Sequence, residues 1–180
     1  MTYYEIYFFI EGPDDERFIN TIIIPKIDKK FRCSVYRYAC ITIQKRKAFL
    51  NSVKAMDFVD YFFLCDIKSS PCVTEKKESL KNIFQLRIDE NKIVIVIKEI
   101  ESWYLAGLNE QKSKELGIKY LRNTDDITKE YFNNIQPEKF DSRIDFMSEV
   151  LKRFSIETAK SKNSSFKYFM ETISTKLEEV

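Results

Sequence analysis

The sequence predicts an α/β fold: about four parallel strands with helices on both faces, followed by a helical C-terminal part. Three observations carry this expectation. Aromatic and β-branched runs alternate with stretches of helical periodicity over the first 108 residues. One run, DYFFLCDI (60–67), is a short, nearly continuous apolar stretch, as expected of a strand buried on both faces, and KIVIVIKEI (92–100) is the most convincing strand of the chain. After residue 110 no convincing strand pattern recurs. Such an alternation closes into a parallel sheet through right-handed crossovers.

Taken in order, YYEIYFFI (3–10) has strand composition. DDERFINTIIIPKI then sets Phe18, Ile22 and Ile23 on one helical face, and Pro25 is expected to limit that helix. CSVYRYACITI (33–43) reads as the second strand. KRKAFLNSVKAM places Phe49, Leu50, Val53 and Met56 at helical spacing. The third strand, 60–67, leads into TEKKESLKNIFQL, where Leu80, Ile83 and Phe84 share a face and Thr74 or a neighbour serves as cap. The fourth strand, 92–100, runs into a helix at ESWYLAGL. Helices are expected over 125–134, 142–154 and 164–178, with Pro137 and Asn163 in the breaks. The chain reads as one domain, 1–180, with its α/β core in 1–108 and a helical extension in 109–180.

The composition excludes whole classes of chemistry. There is no histidine, so Ser-His and Cys-His nucleophiles, histidine bases and His-ligated zinc are all ruled out. Catalysis by this chain must rest on carboxylates, lysine, tyrosine, cysteine or an oxygen-held metal. A net charge of +2 with 32% charged residues is not that of a uniformly basic nucleic-acid binder. Cys33, Cys40, Cys65 and Cys72 lack the paired short spacing of a zinc site, which suggests a reduced, cytoplasmic protein. The N-terminus MTYYEIYFF has neither a basic start nor a small-residue cleavage site, and no apolar run is long enough for a bilayer.

Acids mark the strand ends. Glu11 follows the first strand, with Gly12 expected to permit a tight turn; Asp66 ends the third; Glu99 and Glu101 close the fourth. In open α/β sheets ligands bind beyond the carboxyl ends of the strands. Carboxylates converging there repel one another, and a divalent cation with all-oxygen ligands, Mg²⁺ or Mn²⁺, relieves the repulsion. Asp14, Asp15 and Glu16 have a simpler reading as first-turn charges on the helix dipole. Glu99 and Glu101 are two apart, so strand alternation turns both to one side and either suits the site.

The segments IEGPDDERFI, FFLCDIKSSPC and VIVIKEIESWYLA together resemble a Toprim domain, and more closely the small stand-alone Toprim-like proteins related to the nuclease part of overcoming-lysogenization-defect proteins. The family's E-G-x-x-D/E is matched by Glu11, Gly12 and Asp15. Its D-x-D with a following Pro-Cys is matched by Asp66, Pro71 and Cys72, but the second acid is Lys68 here. Its Glu before a Trp-centred helix is matched by Glu101 and Trp103, and a late Asn-Ser-Phe helix start by Asn163, Ser165 and Phe166. The resemblance implies metal-dependent phosphodiester cleavage or transfer on DNA or RNA, with Glu11 as acid/base or metal ligand, Asp66 as the main ligand and Glu101 as a further one. Lysine does not ligate Mg²⁺ in its charged form, so Lys68 is expected to contact phosphate or to offset acidic charge, and a two-metal centre built on that pair is put in question. The fold can also persist without catalysis, which gives as alternative a degenerate Toprim module that binds nucleic acid or a partner protein, such as an ATPase in a mobile-element or defence locus; a third reading is a small-phosphate or nucleotide hydrolase using the same pocket.

Charge is distributed unevenly. Residues 26–54 carry nine basic residues against Asp28, whereas residues 1–25 carry five acids against Arg17. An acidic pocket beside a basic stretch suits a phosphodiesterase, with Lys45, Arg46 and Lys47 as candidate nucleic-acid contacts. Tyr36 and Tyr38 are candidate base-stacking groups, while Trp103 is expected in the core.

Overall fold

The computed structural model describes residues 4–27, 31–84 and 88–178. The chain is built from two compact units, Met1–Ile95 and Val96–Val180. The first contains a parallel sheet of four strands, β1 (Tyr4–Ile10), β2 (Phe31–Arg37), β3 (Val59–Asp66) and β4 (Ile93–Val96), in the order β2-β1-β3-β4. The α/β expectation therefore holds, with a helical C-terminal part beyond the sheet. Among the described residues no helix is long and apolar enough to cross a membrane.

The strand order fixes where helices go. From β1 the chain steps outward to β2, then returns past β1 to β3 and on to β4. Right-handed crossovers put the first connection, α1 (Pro13–Phe18) and α2 (Ile24–Ile27), on one face, and α3 (Ile43–Ala55) and α4 (Val73–Phe84) on the other. On the α3/α4 face Phe9, Tyr61, Phe63, Cys65, Ile93 and Ile95 form one core with Leu50, Val53, Leu80 and Phe84. Phe9 stacks on Phe63 at 4.5 Å between ring centroids. The alternate residues Phe8, Ile10, Phe62, Leu64 and Val94 are equally buried, so both faces of the central strands are dry, which explains their long apolar runs.

Several boundaries differ from the sequence expectation. Pro25 does not end its helix: α1 and α2 are joined by a π-helical turn, Ile19–Ile23, in which the Ile24 N–H reaches Ile19 O. The wider turn accommodates a residue that lacks an N–H. The buried face is consequently Phe18, Ile19, Ile23 and Ile27. β2 ends at Arg37 rather than residue 43, because the chain turns at Tyr38, whose carbonyl accepts from Ile41 N–H at 3.2 Å. Met56 falls outside α3 and Ile83 points outward from α4; both are exposed. β4 is four residues long: Ser165 Oγ takes the Ile97 N–H at 3.3 Å, and Lys98 adopts a left-handed conformation (φ 62°).

The second unit is helical: α5 (Glu101–Ala106), α6 (Glu110–Leu116), α7 (Lys129–Asn134), α8 (Arg143–Lys152), α9 (Ile156–Lys162) and α10 (Ser164–Glu178). α6 and α9 are short and went unread in the sequence, whereas α10 spans the expected 164–178. Every residue of α5 is buried, with α7, α8 and α9 around it. Trp103 is core as expected, stacked on Phe169 at 5.1 Å.

Candidate functional site

The switch point of the first unit lies between β1 and β3, whose following helices depart to opposite faces. Glu11 and Asp66 stand at those two strand ends. The Tyr38 N–H extends the β1/β2 ladder to Ile10 O at 3.0 Å, which brings Tyr38 alongside Glu11. The Tyr38 hydroxyl then donates to Glu11 Oε1 at 3.4 Å. Lys68 Nζ donates to Glu11 Oε2 and forms an ion pair with it. Both oxygens of Glu11 are thus engaged, one by a phenol and one by an ammonium.

The turn that delivers Lys68 runs from Ile67 to Ser70, closed by Ser70 N–H to Ile67 O at 3.0 Å. Lys68 itself is left-handed, with φ 49°, a conformation that costs an L-residue roughly 1 kcal/mol. The glycine of the motif does not perform this task. Gly12 is extended (φ −143°), and a Cβ there would meet Asp15 Oδ2 at an ordinary 3.5 Å. The Gly12 N–H instead serves as donor to Asp15 Oδ2 at 2.9 Å. Asp15 is therefore a first-turn acid, as its position implied, yet it is almost fully buried and its charge also acts on Tyr38 and Lys68.

Burial and this group of acids set the protonation states. Burial raises Tyr38 well above an ordinary phenol, and the Cys65 thiol and the carboxylates of Glu11, Asp15 and Asp66 push it further. Cys65, on β3, is pushed up to about 12, first by burial and then by Glu11, which excludes a thiolate nucleophile at neutral pH. Lys68 is drawn down by partial burial, but the hydrogen bond and charge of Glu11, with Asp66 and Asp15 behind, outweigh that and raise it, so the ammonium is firmly charged.

Glu101 is in the second unit, buried at the start of α5 and ion-paired to Arg143 Nη2. Arg143 Nε also donates to Asn133 Oδ1 at 2.7 Å, and its guanidinium lies over Phe132. Glu99 accepts Lys129 N–H at 2.6 Å, at the start of α7. Asn163, Ser165 and Trp103 form a buried network: Trp103 Nε1 donates to Ser165 Oγ at 2.8 Å, and Ser165 Oγ donates to Asn163 Oδ1 at 2.8 Å. Among the described residues no group of three or more acids or cysteines is arranged to hold a metal ion.

On the basic side, Lys45, Arg46 and Lys47 occupy the N-terminal part of α3. Lys45 is exposed and Lys47 partly so. Arg46 is turned inward, with Nη2 donating to Ala39 O at 2.8 Å and the guanidinium 5.8 Å from the centre of the Tyr38 ring. Arg37 pairs with Glu16 at 3.3 Å. Lys29, Lys30 and Asp28 of the basic stretch lie outside the described residues. Tyr36 is partly buried and stacked on Phe49 at 4.1 Å between ring centroids, and Tyr38 is buried.

Two members of this cluster have a role that the sequence did not indicate. Asp15 matches the acidic motif but also reads as a helix-dipole charge. Tyr38 reads as a base-stacking candidate within a strand, and only the extension of the β1/β2 register reveals that it is Glu11's neighbour. Comparison with family models, curated proteins and solved structures finds no match to this chain, and its likeness to Toprim domains rests on the motifs alone.

Proposed function

We propose that this chain is a Toprim-type, divalent-metal-dependent enzyme that cleaves or transfers phosphodiesters in DNA or RNA. The observation that carries the reading is the Lys68 ammonium on Glu11 at the switch point of the sheet, with the Tyr38 hydroxyl on the same carboxylate and the charges of Asp66 and Asp15 acting on Lys68. The donor set suits Mg²⁺ or Mn²⁺ held by one or two carboxylates and completed by water and phosphate oxygens; it does not suit a closed protein cage or a two-metal centre. Glu11 and Asp66 are the residues that would hold the ion, which would neutralise and orient a phosphate. Glu11 would also move a proton to or from an ester oxygen. Tyr38, kept as a phenol, orients the Glu11 carboxylate. Lys68 offers a fixed positive charge to phosphate. Lys45 and Arg46 sit at the N-terminal end of α3, where the helix dipole disfavours cations by about 0.3–1 kcal/mol each, and a phosphate backbone there would offset that cost.

One observation favours a second reading, a catalytically degenerate module that binds nucleic acid or a partner protein such as an ATPase: an ammonium already satisfies Glu11 without any metal. A nuclease assay with Mg²⁺ or Mn²⁺, run beside a binding measurement with EDTA, separates the two. The enzyme reading expects cation-dependent cutting that falls at least ~100-fold in Glu11→Gln. Binding that survives both EDTA and Glu11→Gln, with no cutting under any condition, establishes the module instead.

A further inference from the structure

The Lys68 side chain occupies the position that a cation would take. Its ammonium is on Glu11 Oε2, while Tyr38 holds Oε1, so neither Glu11 oxygen is open to an incoming ion without an exchange of partners. The same ammonium is drawn by Asp66 and Asp15. Its backbone is held in a left-handed turn, a strain of the kind that persists where the surrounding structure fixes a side chain for a purpose. The side chain is half-exposed on a flexible four-carbon stem, free to leave Glu11 by rotation about its own bonds. The D-x-D spacing also places this lysine at the position where the resemblance expects the second acid.

We propose that Lys68 is the resident cation of the site: it stands in place of a second metal ion, limits the site to one divalent cation, and is displaced from Glu11 when that cation binds. The inference rests on the metal-dependent reading of the same residues, and it specifies the stoichiometry and the exchange. A divalent ion entering at Glu11 meets a like charge a few ångströms away. Removing that charge strengthens metal binding, whereas removing only the shape of the lysine does not. Once displaced, the ammonium lies beside the ion with its three N–H donors available to a phosphate oxygen, which makes it the specificity element for a phosphate-bearing substrate.

The test is a titration of the full-length protein with Mn²⁺, followed by the electron paramagnetic resonance of the free ion, which needs no activity. Wild type is expected to bind one Mn²⁺. Lys68→Met is expected to bind one Mn²⁺ about tenfold more tightly or better, from the Coulomb repulsion removed at this separation. Lys68→Arg, which keeps the charge, should match wild type, and Lys68→Asp should take up a second ion. If Lys68→Met binds no more tightly while Glu11→Gln still abolishes binding, the role of Lys68 is overturned and the metal site stands. A single ion in Lys68→Asp overturns its standing in for a second metal. If wild type is silent and Lys68→Met binds, the exchange of Lys68 for a divalent ion is overturned together with the metal-dependent reading of the native chain. Silence in both overturns both.

Discussion

Asn163 offers a sharp test of how the second unit is held together. It is 1% exposed and caps α10, accepting Phe166 N–H at 2.9 Å and Ser165 Oγ–H at 2.8 Å through Oδ1. Its Nδ2 donates to Thr124 Oγ1 at 3.2 Å and Ser102 Oγ at 3.4 Å. Asn163→Ala removes a helix N-cap, about 1 kcal/mol. It also leaves the Ser165 hydroxyl proton without its acceptor in a buried site, a further 1–3 kcal/mol or so. Thr124 keeps a long contact to Lys162 O at 3.5 Å, and Ser102 keeps Ile97 O at 3.3 Å, so their share is small. The expected cost is about 2–4 kcal/mol, which for a chain of this size lowers Tm by roughly 5–15 °C. Thermal melts by circular dichroism measure the cost. The single tryptophan, Trp103, supplies a local signal, because its indole N–H bonds Ser165 Oγ. Asn163→Asp keeps the cap acceptor and loses the two donors, so it should fall between wild type and Asn163→Ala. A Tm within about 1 °C of wild type, with unchanged Trp103 emission, would refute the network as a stabilising element.

The buried pair in the same unit makes a second prediction: Arg143→Leu strands the Glu101 carboxylate and should cost about 3–5 kcal/mol in urea unfolding, whereas Arg143→Leu with Glu101→Gln should recover most of it; no recovery means that packing on Phe132, not charge, carries the loss. Lys162, buried with its ammonium on Leu108 O at 2.7 Å and over the Tyr120 ring, is lowered by burial from 10.5 to about 8. Between those values the unfolded chain binds a proton that the folded chain does not, so this group adds stability as pH rises through the window; the wild-type Tm should gain on that of Lys162→Met from pH 8 to pH 10, and a constant gap would show that Lys162 titrates normally.

The fold was readable because its determinants are local and repetitive. Central strands buried on both faces need long apolar runs, and 61–65 and 93–97 supply them. Boundaries were less readable where a backbone group finds its partner far along the chain. Ile97 looks like more strand, but its N–H goes to Ser165, 68 residues away, and the strand stops. Pro25 looks like a stop, but a π-turn absorbs it.

The candidate site divides along the same line. Parallel strands all finish at one edge, so the meeting of Glu11 with the Asp66 segment followed from topology once the alternation was seen. The identity of the groups on Glu11 did not, since hydrogen-bond partners are set by register and side-chain reach. Lys68 appeared in the sequence as a departure from an acidic motif, and the structure makes that departure the main electrostatic fact of the site. A lysine that only interrupted the motif would be expected to point to solvent in an unstrained turn. This one holds a left-handed backbone and places its charge on the carboxylate of Glu11. The substitution and the retained acid therefore form one unit, and a variant of either has to be judged with the other in place.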